Sequence, residues 1–346
     1  MTDLADGLSR VMSRAWQRPT TVDQLRRLSG GASMETWSFV AHSPEPVRLI
    51  LRKDRPGTPV GSVTREQEAR LIVAAARAGV PVPRLITAGD GDALGAAYLI
   101  TEFLDGETIP RRILRDDVYQ AARPRIVHQV AAAMARVHQV PPPEVSFLGP
   151  PREPESLVRD FAAGLEHLGD PSPALELGVR WLLRHLPPAV PPALVHGDLR
   201  NGNLIVGPDG MRAVLDWELA HLGDPAEDLG WFCVRAWRFG VDERPAGGFG
   251  SRRELLGAYV AAGGRPVEDE VMHFWEVFGT LKWGVVCMSQ AAAHLRGGSR
   301  SVELAAIGRR VAETEYDLLA LLEEGRPEEG LLEEGRPEEG RPEEGH

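Results

Sequence analysis

Val195-His196-Gly197-Asp198-Leu199-Arg200-Asn201-Gly202-Asn203-Leu204-Ile205-Val206 runs into Gly207-Pro208-Asp209-Gly210 and then into Ala213-Val214-Leu215-Asp216-Trp217. Leu204–Val206 and Ala213–Leu215 are short apolar runs, and Gly-Pro-Asp-Gly between them is strong turn chemistry, so the spacing predicts a β-hairpin. Closing that hairpin returns Asp216 to the side of Asn203, within about one or two strand residues of roughly 3.3 Å each. Asp198 lies five positions before Asn203, on a loop that leaves an apolar strand. Two carboxylates and one amide therefore converge at one hairpin base.

Phosphoryl transfer from a nucleotide asks for that set. One carboxylate must take or orient the acceptor hydroxyl, while an amide oxygen and a second carboxylate hold Mg²⁺ against the phosphates. Taken singly, Asp198, Asn203 and Asp216 read as caps of turns or of the next helix. Together, at these spacings and in this strand context, they read as a catalytic set.

The segment resembles the aminoglycoside phosphotransferase family, and especially the branch similar to the kinase-like domains associated with acyl-CoA dehydrogenases. The resemblance is carried by His196-Gly197-Asp198 through Asn203, by Asp216-Trp217-Glu218, by His221-Leu222-Gly223-Asp224-Pro225 and by Asp228-Leu229. Weaker matches extend it over residues 25–315. It implies an α+β, two-lobed, protein-kinase-like fold with a small β-rich N-lobe (1–103) and a larger helical C-lobe (104–322). It further implies Asp198 as catalytic base, Asn203 and Asp216 as Mg²⁺ ligands, and His196 as the residue that orients the loop. Asp228, at a helix start, is implied to brace that loop's backbone amides. ATP and Mg²⁺ are the implied cofactors, and a hydroxyl on a small molecule the implied acceptor.

The amino-terminal half fits the same plan. Leu28-Ser29-Gly30-Gly31-Ala32-Ser33 precedes a predicted strand at Thr36–His42, and the resemblance makes Gly30, Gly31 and Ser33 a phosphate-covering turn. An ordinary β-turn accounts for the Gly-Gly pair as well. The next strand, Val47–Lys53, ends in Leu51-Arg52-Lys53, where the family supplies a phosphate-binding cation. Many relatives carry Lys there. Alternation along a strand sends only one of the two side chains into the cleft. Register against the family favours Arg52, although Lys53 is one of only two lysines, with Lys282, among 39 Lys plus Arg. The helix expected at Arg65–Ala78 offers Glu68, in preference to Glu66, as the partner of that cation. Arg84–Ala88 and Ala97–Phe103 read as a further strand pair. Within it Ile100–Phe103, including Glu102, resembles the hinge that grips a nucleobase through its backbone.

Several other chemistries are excluded. No G-x-x-x-x-G-K-[ST] loop, H-E-x-x-H pattern or C-x-x-C pair occurs. Two-metal phosphatase chemistry needs further His and Asp ligands, and no Asp has a His two residues later. A protein kinase is disfavoured because Asp216-Trp217-Glu218 replaces D-F-G and A-P-E is missing. The competing reading is a catalytically silent nucleotide-binding module, which the presence of all three key residues opposes.

The helices expected after residue 104 include Arg125–His138, Ala226–Arg238, Val267–His294 and Val302–Leu322. The aromatic stretch from Trp231 to Trp237 reads as core packing, and His128, His138, His273 and His294 as structural or solvated. Of the formal charge of −11, seven units sit in residues 323–346, a near-perfect LLEEGRPEEG repeat read as a disordered acidic tail. The remaining near-neutral body argues against nucleic-acid partners. Cys233 and Cys287 read as buried structural thiols. No apolar run approaches the roughly 20 residues that span a bilayer, so no membrane partner and a cytoplasmic location are expected. Glu218, Glu254 and Glu276 are the candidate acids for meeting a cationic acceptor.

Overall fold

The computed structural model of the chain describes residues 2–28, 34–55, 63–297 and 301–324. Its N-lobe is a five-stranded antiparallel sheet of order β1-β2-β3-β5-β4. The strands are β1 (Thr21–Leu28), β2 (Met34–His42), β3 (Pro46–Asp54), β4 (Leu85–Gly89) and β5 (Tyr98–Glu102). Helix α1 (Thr2–Trp16) covers one face, where Leu8 and Met12 pack on Phe39, Leu49 and Leu51. Helix α2 (Arg65–Arg77) follows β3, and its start is fixed by a capping box of Thr64 and Gln67. Neither α1 nor β1 was anticipated from the sequence, which suggested a sheet with a single helix.

Period-two alternation decides what β3 delivers to the cleft. Leu49 and Leu51 point into the α1 core, and Arg52 points the other way, toward α2. Lys53 lies on the α1 side, 3.6 Å from Glu35, its cross-strand neighbour. The cation that reaches the cleft is Arg52.

The chain then crosses to the helical C-lobe. Gly106, with φ near +155°, brings its backbone against Ile205 and Val206, and Glu107 exchanges two backbone hydrogen bonds with Val206. The C-lobe contains α3 (Pro110–Arg115), α4 (Arg123–His138), α5 (Pro154–Leu168) and α6 (Pro173–Arg184). Two short strand pairs follow: β6 (Ala193–Val195) with β9 (His221–Gly223), and β7 (Leu204–Gly207) with β8 (Gly210–Val214). Helices α7 (Ala226–Cys233), α8 (Arg252–Ala261) and the 27-residue α9 (Asp269–Leu295) complete the body. One apolar core runs across both lobes, joining Leu71, Ile72 and Leu99 to Met134, Leu194 and Leu204. A second gathers around α9, with Trp275, Phe278 and Leu281 against Leu157, Leu175 and Leu318.

Three sequence expectations change here, the first being the helix expected over Ala226–Arg238, which stops at Cys233 where Val234 turns to extended backbone. The helix expected over Val302–Leu322 is divided into α10 (Val302–Gly308) and α11 (Val311–Glu324) by a turn at Arg309 and Arg310, next to Gly308, which lies against Ala291 on α9. Helix α11 also takes in Glu323 and Glu324, the first residues of the expected tail; residues 325–346 lie outside the described residues.

Candidate active site

The hairpin forms as its turn chemistry demands. Leu204 pairs with Val214, and the Leu215 amide donates to the Asn203 carbonyl at 2.8 Å. Beside it, β6 pairs with β9 so that Val195 faces His221. This sets the loop 196–203 against the loop 215–220. Gly197 is required at their crossing: its φ is +77°, and a Cβ there would stand 2.4 Å from the Leu219 carbonyl oxygen.

The loop is held from within by Asp228 on α7. Its carboxylate accepts the His196 amide at 2.8 Å and the Gly197 amide at 2.9 Å, and it meets His138 Nε2 at 3.1 Å. Burial raises the pKa of this fully enclosed acid, but His138 and the amides lower it further, so the net shift is downward and the group is a carboxylate. His138 is thus structural, as the sequence suggested. His196 bridges the two loops, accepting the Asp198 amide at Nδ1 and donating from Nε2 to the Leu215 carbonyl. Burial depresses its pKa, which keeps the ring neutral and its Nδ1 an acceptor.

Asp198 is gripped by three side-chain donors. Arg200 Nε (3.1 Å) and Trp231 Nε1 (3.0 Å) share Oδ1, and Asn203 Nδ2 donates to Oδ2 at 2.7 Å. Trp231 is buried, as expected, yet its indole N–H serves Asp198, which sequence reading did not anticipate. Asp216 occupies the left-handed region at φ +68°, a conformation that a non-glycine residue adopts only where its surroundings enforce it. Its Oδ1 accepts Arg52 Nη2 at 2.5 Å, while Arg52 Nη1 reaches Glu68 Oε1 at 2.5 Å. Burial opposes the charge on Arg52, but Glu68 and Asp216 outweigh it and raise its pKa. Asp216 is likewise held below the ordinary carboxylate value: burial raises it, and Arg52 lowers it by more.

Arg65 and Lys282 join the site without having been singled out for it, and Glu218, a candidate acid for a cationic acceptor, is engaged there by Arg65. Arg65 contacts Glu68, pairs with Asp54 at 2.9 Å and reaches Glu218 at 3.4 Å. Lys282 on α9 donates to the Gly197 carbonyl at 2.8 Å, approaches Glu227 at 3.3 Å and stands over the Trp231 ring at 4.6 Å. Glu227 also receives His221 Nε2 at 3.0 Å, while His221 Nδ1 faces the Leu219 carbonyl at 3.0 Å. With acceptors on both sides, both ring nitrogens donate and His221 is an imidazolium.

Other expected contributors fall elsewhere. Gly30, Gly31 and Ser33 lie outside the described residues. Glu102 turns back, its carboxylate accepting the Arg84 amide at 2.8 Å. The Glu102 and Phe103 amides donate to the Arg84 and Arg48 carbonyls, so neither is free for a nucleobase. The next amide, of Leu104, makes no hydrogen bond among the described residues.

The donors left over suit a hard cation. Asn203 commits its nitrogen to Asp198 and keeps its amide oxygen; Asp216 commits only Oδ1. Oxygen donors of this kind suit Mg²⁺, which takes few protein ligands and completes its shell with water and phosphate. Among the described residues no group of three or more His, Cys, Asp or Glu forms a self-sufficient metal site.

A five-stranded antiparallel lobe over a helical lobe, with this loop and hairpin between them, defines a kinase-like phosphotransferase fold. A model of the phosphotransferase enzyme family matches residues 24–268, and the chain belongs to that family. It is 33% identical over 202 residues to acyl-CoA dehydrogenase family member 10 of Mus musculus, an alignment covering 54% of this chain and 18% of that protein. The chain therefore spans less than a fifth of that relative's length. Among solved structures, it superposes with TM-score 0.74 on a Ralstonia eutropha protein assigned to the aminoglycoside phosphotransferases. That match is 21% identical and covers 93% of this chain and 99% of the other. A thermostable mutant of aminoglycoside phosphotransferase APH(4)-Ia, in ternary complex with AMP-PNP and hygromycin B, gives TM-score 0.61 at 16% identity, covering 93% and 99%. At these identities the solved structures establish the fold. No described helix is long and apolar enough to cross a membrane.

Proposed function

We propose that the protein moves the γ-phosphate of ATP to a hydroxyl of a small molecule, with Mg²⁺ as cofactor. The observation that carries this reading is the meeting of Asp198, Asn203, Asp216 and Arg52 at one hairpin base. In the step, the acceptor oxygen bonds to the γ-phosphorus, the bond from that phosphorus to the β-phosphate oxygen breaks, and ADP leaves. Asp198 receives the hydroxyl proton, held toward the acceptor by Asn203, Arg200 and Trp231. Arg52, positioned by Glu68, presents its guanidinium to the phosphates. Asn203 and Asp216 would hold Mg²⁺, which supplies neutralisation of charge on the transferring group. Conversion of such a site to a silent binding module commonly removes one of these residues, and all are present.

The test is an ATP-consumption screen across hydroxylated small molecules, with Asp198→Asn as control. Asp216→Ala is expected to abolish turnover while the thermal transition is retained. Turnover at the wild-type level in either variant defeats the assignment.

A further inference from the structure

Glu68 is shut off from water, and its two carboxylate oxygens are divided between two guanidinium groups: Oε1 takes Arg52 and Oε2 takes Arg65. Asp216 lies beyond Arg52, and Glu218 lies beyond Arg65. Acids and cations therefore alternate from Asp216 through Arg52, Glu68 and Arg65 to Glu218. Both ends of this chain of charges sit on one C-lobe loop, two residues apart, while its middle belongs to β3 and α2 of the N-lobe. Helix α2 is thus tied to that loop at two points, one through each arginine.

The two arginines are not equivalent. Arg65 is the first residue of α2, where a cation opposes the helix dipole, yet its side chain is only 5% exposed. Each of its three nitrogens faces an acid: Nε lies 2.9 Å from Asp54, Nη1 holds Glu68 and Nη2 reaches Glu218 at 3.4 Å. That leaves Arg65 no arm for a phosphate. Arg52 is more open, at 17%, and is the cation that the phosphotransferase reading, on which this inference rests, turns toward the nucleotide. To address a phosphate, its Nη2 must let go of Asp216. Glu218 then competes for it, because its charge already acts on Arg52, behind those of Glu68 and Asp216. Among the described residues Arg65 is the one cation paired with Glu218. A half-buried carboxylate deprived of that partner seeks the next cation within reach, which is Arg52.

We propose that Arg65 is a positioning residue for the nucleotide: it retains Glu218 and fixes Glu68, so that Arg52 is released to the phosphates instead of being captured by a second acid. Arg52 is the exchangeable member of the pair and Arg65 the permanent one. The contact between Arg65 and Glu218 also keeps α2 attached to the loop while the contact between Arg52 and Asp216 opens.

The test is a double-mutant cycle of Arg65→Met and Glu218→Gln in the full chain, read by calorimetry with Mg-AMP-PNP, with thermal melting to verify folding. Arg65→Met is expected to raise the Kd about tenfold or more, and Glu218→Gln alone to change it less than about threefold. The combination decides between roles. Removing the Glu218 charge from the Arg65→Met protein should return the Kd to within about threefold of the wild type, because the acid that captures Arg52 is gone. A merely structural contact predicts the opposite, a double variant that binds at least as weakly as Arg65→Met. Should the methionine variant fail to fold, Arg65→Lys, which keeps a single point of charge, runs the same cycle with the same expected repair. The proposal is overturned if the folded Arg65 variant binds nucleotide as tightly as the wild type, or if Glu218→Gln does not repair its loss. Absence of Mg-AMP-PNP binding by the wild type would instead defeat the phosphotransferase reading, and this proposal with it.

Discussion

Arg52 Nη2 lies 2.5 Å from Asp216 Oδ1, joining β3 to the loop after β8 across 164 positions of sequence. The same guanidinium holds Glu68 with its other arm. A planar fork can address two acids at once, whereas an ammonium is a single point of charge. Sheet, helix α2 and hairpin are thereby tied at one residue.

Arg52→Lys should therefore loosen one of the two contacts without unfolding the lobe. A charged hydrogen bond is worth about 1.5–3 kcal/mol, so the KM for ATP is expected to rise by roughly ten- to a hundredfold. Steady-state kinetics and AMP-PNP titration check this. An unchanged KM would mean that Arg52 does not position the nucleotide.

Asp228→Ala should act on the fold as well as on turnover. It leaves the His196 and Gly197 amides and His138 Nε2 without their acceptor in a dry interior. Each orphaned donor costs roughly 1–3 kcal/mol, so a loss of about 3 kcal/mol or more is expected in urea unfolding.

Lys282→Met separates loop positioning from nucleotide binding. The ammonium clamps the Gly197 carbonyl from α9 and makes no hydrogen bond to Arg52, Asn203 or Asp216. We expect kcat to fall about tenfold or more while the Kd for AMP-PNP is retained. Lys282→Arg should not rescue it, because the bulkier fork must fit between Trp231 and Glu227.

His221 gives stability a pH dependence of known sign. Burial alone would lower its pKa, but Glu227 and the Leu219 carbonyl raise it above the ordinary 6.5. Its stabilising contribution is thus complete below about pH 6.5 and is withdrawn as pH rises through the elevated folded value. His221→Gln should flatten the thermal-melting profile on the alkaline side of pH 6.5. A profile identical to the wild type would exclude an imidazolium.

Both thiols should stay unreactive in the native state. Burial pushes Cys287 up to about 12 and Cys233 higher still, so neither forms thiolate at neutral pH. Ellman's reagent is expected to label them only after denaturation.

The hairpin was legible because its information is local: turn residues, short apolar runs, and a spacing that closes Asp216 onto Asn203. Strand alternation said that only one of Arg52 and Lys53 enters the cleft, and register against the family, not local pattern, pointed to Arg52. Arg65, Lys282 and Glu227 left no such trace, since their partners Glu218, Gly197 and His221 are supplied by tertiary packing. Which backbone amide of the hinge is free was not legible, because the Glu102 amide is taken up by the Arg84 carbonyl, a pairing that periodicity does not reveal. Helix α1 carries Leu4, Leu8, Val11 and Met12 on one face. That stripe was available in the sequence but was overlooked, and the covered side of the sheet went unread with it.

The paired hydrogen bonds between Glu107 and Val206 couple the crossover strand to the hairpin that carries Asn203 and leads to Asp216. Under the phosphotransferase reading proposed above, a displacement of the sheet would be handed through this pair to the loop that carries Asn203 instead of being absorbed in a slack tether. A substitution that softens Gly106 is then expected to lower nucleotide affinity and turnover together.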